Sequence, residues 1–205
     1  MSRAAPWWPA VLDGGDVLLR PLRRSDQAEW TAVRRRNHDW LKPWEATLPN
    51  PDGRLPSFSQ MVRSLNGQAR LAQALPWVVC VREPTRREPA IAGQVTVSGI
   101  TWGSALGASI GYWVDGARAG NGLAPDAVAL AADFCFGTLG LHRLEINIRP
   151  ENAPSLRVAE KLGFRDEGVR ERFLHIDGAW ADHRTFALTA GEEPARHLRG
   201  WRENA

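Results

Sequence analysis

Cysteine is nearly missing from this sequence: Cys80 and Cys135 are the only two in 205 residues. Each sits inside an apolar run, WVVCV and DFCFG, so buried thiols in a reducing compartment are expected, not a disulfide framework or a metal centre. Lysine is as rare, with Lys42 and Lys161 alone, and neither stands after a glycine-rich turn, which excludes the Lys-Ser/Thr pair of a P-loop. Tyrosine occurs once, as Tyr112, so a phenolic acid or base has a single candidate position. No apolar run has the length of a membrane span. In the N-terminal stretch MSRAAPWWPAVL, two prolines and two tryptophans break the apolar core that a leader peptide needs, so a cytoplasmic protein is expected.

Arginine and tryptophan are plentiful. Arginine supplies nearly all the positive charge, the formal net charge is +3, and basic clusters stand at Arg23-Arg24, Arg34 to Arg36 and Arg86-Arg87. A nucleic-acid footprint would need these clusters on one face with base-reading groups between them, which linear order does not supply. Solvated helix faces that also attract an anionic cofactor or partner are the simpler reading. Most of the ten tryptophans are expected in the core. Trp40 and Trp44 differ, because the LKPW context sets them in a proline-interrupted stretch after the first helix.

Periodicity gives a chain of alternating strands and helices, large enough for one well-covered domain over residues 1–205. Residues 16–22 read as a strand, and Ser25-Asp26 with Glu29 as the cap of a helix that runs to about Arg36. Phe58, Met61, Val62, Leu65, Ala69 and Ala72 have helical spacing within 57–74. Strands are expected at 76–82, 91–100 and 108–114, then a helix over 122–138, a strand over 143–149 and a helix from Asn152 to Gly163. Asp177-Gly178 closes a hairpin of 164–176 with 179–188. Consecutive early strands predict a mixed sheet flanked by helices, an α+β fold and not a doubly wound parallel one.

The stretch from Ile110 to Asp126, IGYWVDGARAGNGLAPD, runs from an apolar strand through a glycine-rich turn straight into a helix. Glycines at 120 and 122 leave the backbone uncovered, so the N–H groups of Gly120, Asn121, Gly122, Leu123 and Ala124 can converge on an anion at the positive end of the helix. A tight strand-to-helix turn needs the same glycines and remains the plain alternative. The pattern lacks the acidic residue about 20 positions on that a Rossmann turn carries, leaving a pyrophosphate ligand without a nicotinamide.

Three segments together resemble the GNAT acetyltransferase superfamily. Ala119-Gly120-Asn121-Gly122-Leu123-Ala124 occupies the frame of its Gln/Arg-x-x-Gly-x-Gly/Ala signature, with Ala119 where the family carries Gln or Arg and Arg118 one position earlier. NAPSLRVAEKLGFRDEG, from Asn152 to Gly168, resembles the segment after the fifth family strand. NHDWLKPWE, from Asn37 to Glu45, is similar to the N-x-x-W/H-L-x-P-W element of the RimJ and RimL branch, which acetylates N-terminal amines of ribosomal proteins. The resemblance spans roughly residues 15–190. It implies a mostly antiparallel sheet of about seven strands, splayed between the fourth and fifth, and acetyl-CoA as co-substrate with no metal. It also implies that the backbone of Tyr112, Trp113, Val114 and Asp115 pairs with pantetheine. Residues 119–124, helped by Arg118, would hold the pyrophosphate. Asn152 and Ser155 would complete the cofactor site, and Asn152 alternatively only caps its helix.

The implied reaction is direct attack of an amine on the thioester, leading to an acetylated α-amine, with an Ala- or Ser-initiated ribosomal protein as the leading acceptor. An α-amine of pKa about 8 is roughly one-tenth neutral at pH 7, a cost of about 1.4 kcal/mol, against about 4.6 for a lysine amine. A modest base therefore suffices. Glu145, in LEI of the fifth family strand, is the first candidate, through a carboxyl raised by burial. Ser155 is the candidate acid, because the family tyrosine position holds Ala159. Trp40 and Trp44 would wall the acceptor groove, with Glu45 beside them as a second candidate base, better suited to meet the substrate amine than to act alone, whereas Asp182 and His183 are expected to hold the last hairpin, a catalytic role being the lesser reading. Small-molecule amine acetylation, of an antibiotic or polyamine, is the rival enzyme reading; a non-catalytic CoA- or RNA-associated module is the rival of another class. No membrane or obligatory nucleic-acid partner is expected, and the protein would act as monomer or homodimer.

Overall fold

A computed structural model describes residues 7–50 and 56–192. The first six residues, half of the stretch read above for a leader, lie outside it. The elements are β1 (Leu12–Asp13), β2 (Val17–Pro21), α1 (Gln27–Arg36), α2 (His38–Leu41), α3 (Phe58–Arg70), β3 (Ala74–Val81), β4 (Ala90–Thr101), β5 (Gly107–Val114), α4 (Leu123–Gly137), β6 (Arg143–Ile148), α5 (Ala153–Lys161), β7 (Arg165–Ile176) and β8 (Ala179–Thr189). One eight-stranded sheet carries them in the order β1-β2-β3-β4-β5-β6-β8-β7. The strand beyond the expected seven is β1, two residues long, too short for any alternation to announce it.

Two layers of helix cover the sheet. Leu75, Trp77 and Val79 of β3, Val95 and Val97 of β4 and Leu144 and Ile146 of β6 pack with α4, and none is more than 2% exposed. Helix α4 is alanine-rich, so its backbone lies close on the strands; Trp77 fills the thicker part with its ring 5.5 Å from Phe134. On the opposite face Val78, Cys80 and Ile91 meet Val33 of α1 and Val62 of α3. Both thiols are buried, which pushes Cys80 up to about 11 and Cys135 up to about 12.

The first helix begins differently from its expected cap. Asp26 accepts from both Arg20 nitrogens at 2.8 and 3.0 Å and from Arg23 N at 2.7 Å, so its carboxylate points back toward β2 and does not cap α1. The Glu29 side chain also turns away from the helix start, accepting from Ile91 N at 3.2 Å and Arg86 at 2.9 Å. At α3 the box forms as local sequence dictates, with Ser57 Oγ accepting from Gln60 N at 3.3 Å and Ser57 N donating to Gln60 Oε1 at 2.8 Å.

Asp133 of α4 is a liability in this core: among the described residues its Oδ1 has no hydrogen-bond partner, and burial pushes the carboxyl up to about 6. The folded state therefore holds this proton more tightly than the unfolded chain. The charge costs stability above pH 6, and the cost fades as pH falls toward 4. After discounting for partial exposure, Asp133→Asn is expected to raise the unfolding free energy by about 1–2 kcal/mol at pH 7 and by almost nothing at pH 4. Urea denaturation at the two pH values checks both halves of that statement.

What positions the site is the single parallel contact. β5 and β6 pair only over Gly107–Ser109 with Arg143–Glu145; beyond that the strands diverge, β5 running on to Val114 and β6 to Ile148.

Candidate active site

Strand alternation decides which backbone groups face the opening. β5 pairs with β4 in the register Gly93↔Val114, Gln94↔Trp113 and Val95↔Tyr112, and Asp115 N donates to Ala92 O at 2.8 Å. Asp115 and Trp113 thus spend their peptide groups on β4. Gly93 allows this approach, since a Cβ there would collide with the Trp113 carbonyl. Only Tyr112 and Val114 turn N–H and C=O toward the gap, and Val114 O accepts from Trp40 Nε1 at 3.2 Å. The four-residue pantetheine ladder expected over 112–115 is therefore reduced by geometry to alternate residues.

After β5 the chain is held down before it turns. Asp115 is 1% exposed and accepts from Arg36, from Asn37 Nδ2 at 2.8 Å and from Ala117 N at 3.3 Å. Burial alone would raise its carboxyl, but these donors outweigh it and hold the group below the usual carboxylate range. Gly120 and Gly122 then take left-handed conformations, φ 84° and 76°, which only glycine adopts without strain. Helix α4 follows at Leu123, and its first intrahelical donor is Asp126 N, bonded to Gly122 O at 3.1 Å. The amides of Leu123 and Ala124 thus lead the helix with no preceding carbonyl to meet, while Pro125 contributes none. Arg118 differs from its expected role: it is ion-paired with Glu83 on the β3–β4 connection.

The gap between β5 and β6 opens into a cavity of about 370 Å³ lined by elements on both faces of the sheet. Its α5 side is formed by Ile110, Tyr112, Ile146, Ile148, Asn152 and Ser155. Asn152 caps α5, its Oδ1 accepting from Ser155 N at 3.2 Å, so capping and lining fall on one side chain. Tyr112 reaches Ser155 O at 3.4 Å, and burial pushes its phenol up to about 12.

The opposite side is built from α1, the segment after α2, and the last hairpin. Trp44 and Glu45 line it, with Arg149 stacked 5.7 Å from the Trp44 ring centre and Arg34 ion-paired to Glu45. Thr47 N donates to His175 O at 2.9 Å and Asp177 N to Glu45 O at 3.1 Å, tying this wall to the β7–β8 turn. Trp40, expected beside Trp44, instead lies outside the lining over Gly116 and the end of β5, 45% exposed, because helix α2 turns it the other way.

Glu145 is not where a base is needed. It pairs with Ser109 in the part of the sheet that is still closed, and its carboxylate is taken by Arg143 at 2.9 Å and Arg170 at 3.0 Å. Two residues further on the same strand face, where the strands have parted, Asn147 reaches the cavity. His183 of β8 also lines it; the sequence reading favoured a place in the hairpin over a catalytic role. Gln94 of β4 and Arg34 of α1 were likewise invisible to local patterns, since their faces are set by strand and helix pairing distant in sequence. Among the described residues no group of His, Cys, Asp and Glu is arranged to hold a metal.

Residues 16–165 match the family model described as an acetyltransferase (GNAT) domain. The chain is 31% identical over 178 residues to the probable N-acetyltransferase YjcK of Bacillus subtilis (strain 168), covering 87% of this chain and 96% of that one. It is 29% identical over 153 residues to the ribosomal protein uS5-alanine N-acetyltransferase of Escherichia coli (strain K12), covering 75% and 77%. Among solved structures, Mycobacterium smegmatis RimJ in complex with CoA-disulfide is similar at TM-score 0.83 and 36% identity, covering 94% of this chain and 95% of that one. With a sheet that splays after one parallel contact and a glycine turn at the mouth of the gap, the chain belongs to the GNAT acetyltransferase family and is an acyltransferase enzyme.

Proposed function

We propose that the enzyme transfers the acetyl group of acetyl-CoA to the α-amine of a protein N-terminus, with an Ala- or Ser-initiated ribosomal protein as leading acceptor. The observation that carries this reading is the cavity at the parted strands, whose lining comes from elements on both faces of the sheet, α1 on one and α5 on the other, so that a thioester and an amine could meet there from opposite sides. The residues present fit CoA: the leading amides of α4 suit a pyrophosphate, and the free backbone of Tyr112 and Val114 N suits the amides of pantetheine. Asn152 lies where the arm would end. Trp44 supplies an apolar wall and Glu45 a carboxylate for an incoming ammonium, though Glu45 is shared with Arg34. Ser155, which lines the cavity, is the proposed proton donor to the departing sulfur. The uS5-alanine N-acetyltransferase of Escherichia coli supports the choice of acceptor by similarity, and the RimJ structure, which holds CoA-disulfide, supports the choice of cofactor. Two buried thiols support a reducing, cytoplasmic setting, and among the described residues no helix is long and apolar enough to cross a membrane.

Incubation with acetyl-CoA and an Ala- or Ser-initiated peptide should release CoA thiol and add one acetyl group to the peptide by intact mass. Turnover of small amines in place of peptides would move the acceptor to that class; no thiol release with any amine would overturn the catalytic reading.

A further inference from the structure

We infer that His183 is the proton acceptor of the reaction, with its Nε2 taking the proton from the attacking amine directly or through one water; this rests on the acetyl-transfer reading above. Sequence and fold put it there through β8. Side chains of one strand face alternate, so His183 and Thr185 share a face with Asn147 of neighbouring β6, where Thr185 Oγ1 donates to Asn147 Oδ1 at 2.7 Å. That face is the one opposite α5, on which the acceptor would arrive. His183 is 3% exposed yet lines the cavity, so what it meets there is the cavity and not bulk water.

Its tautomer is set by its own strand. Nδ1 lies 2.9 Å from Ala181 O, and a carbonyl only accepts, so Nδ1 carries the proton and Nε2 is left with its lone pair. Phe173 of β7 packs edge-on against the ring at 6.1 Å and restrains it. Burial lowers the imidazole's pKa, opposed by the bond to Ala181; Arg149 lowers it further, while Asp182 and Glu151 raise it. Arg170 stands opposite on β7 and Glu45 lines the same cavity. The imidazole is thereby held below its ordinary pKa, which favours the neutral ring a proton acceptor needs.

A weak base is adequate because of when the proton moves. As the amine lone pair forms the C–N bond, the nitrogen becomes far more acidic than the free ammonium. The N–H proton passes to Nε2, the carbonyl is restored, and the C–S bond breaks with its electron pair on sulfur, which takes the Ser155 proton as the serine regains one from solvent. The imidazolium then returns its proton to solvent. Among the carboxylates considered, Glu145 is closed off by Arg143 and Arg170, and Glu45 is neutralised by Arg34. Among the described residues His183 has no such partner on Nε2.

His183→Asn tests this, because the asparagine amide can still donate to Ala181 O while Nε2 is lost. The expected result is a fall in kcat of about 100-fold that persists from pH 7 to pH 9, because the proton His183 takes sits on nitrogen already bonded to the carbonyl carbon, with the KM for acetyl-CoA and the melting temperature nearly unchanged. A second measurement needs no turnover: nitrogen NMR of the wild-type imidazole should show Nδ1 protonated and Nε2 bare between pH 6.5 and about 8. Wild-type kcat and pH profile in His183→Asn, or an Nε2-protonated or cationic ring at pH 7, would overturn the assignment. If the best acceptor proves to be a small amine, the peptide reading fails while the His183 comparison is made with that amine.

Discussion

Gly122→Val is expected to weaken CoA binding by at least about tenfold, measured by calorimetry on the folded variant. Gly122 sits at φ 76° immediately before α4, a conformation that costs a non-glycine residue about 1–2 kcal/mol and a β-branched one more. Valine relieves that strain by rotating the turn, and the amides of 121–124 then no longer converge. Charge-assisted hydrogen bonds are worth about 1.5–3 kcal/mol each, so loss of one already accounts for a tenfold change. Gly122→Asn separates conformation from bulk, because asparagine tolerates the left-handed region and should retain most of the affinity. Ala119 is exposed in an extended conformation, and substitutions there should matter far less than at 122. Unchanged affinity in Gly122→Val with an intact fold would remove the turn from the CoA site.

The glycine turn was legible because its information is local: two left-handed glycines and a helix start lie within six positions. The same holds for the Asn152 cap and the Asp177-Gly178 hairpin. Glu145 shows where local reading stops. It shares a strand face with Asn147, and only the point at which β5 leaves β6 decides which of the two meets the cavity. That point is a property of paired strands 30 or more residues apart in sequence, and periodicity does not carry it. Trp40 and Trp44 diverge for a similar reason: a four-residue helix, His38–Leu41, turns one toward β5 and leaves the other at the cavity. Short helices of this kind give too few positions for a 3.6-residue period to register. Arg118 and Glu83 pair across 35 positions, so an arginine next to a phosphate motif was read as a ligand although another charge already holds it.

Asp115→Ala should destabilise the fold by about 2–3 kcal/mol and weaken CoA binding as well, because one carboxylate joins two parts of the site. It accepts from Arg36 and Asn37 at the end of α1 and from Ala117 N at the start of the turn, while Asn37 Oδ1 accepts from Gly116 N at 2.8 Å. Removing one partner of a buried ion pair commonly costs about 3–5 kcal/mol, but the Arg36 side chain is 48% exposed and recovers hydration, which lowers the figure. The stranded groups are the amides, and the backbone leading into Gly120 loses its anchor. Asp115 has a lowered pKa, so its stabilisation is present above the unfolded-state value of about 3.8 and is lost only as pH falls through the lower folded value. The gap between wild type and variant should therefore be constant from pH 5 to about 8 and close only below pH 4. Asp115→Asn keeps an oxygen for Ala117 N but loses the charge that holds Arg36, so its stability should fall between the two. A variant within about 0.5 kcal/mol of wild type in urea denaturation would mean that α1 is held to β5 by its apolar contacts alone, through Val33 and the Trp30–Trp113 stack at 5.5 Å.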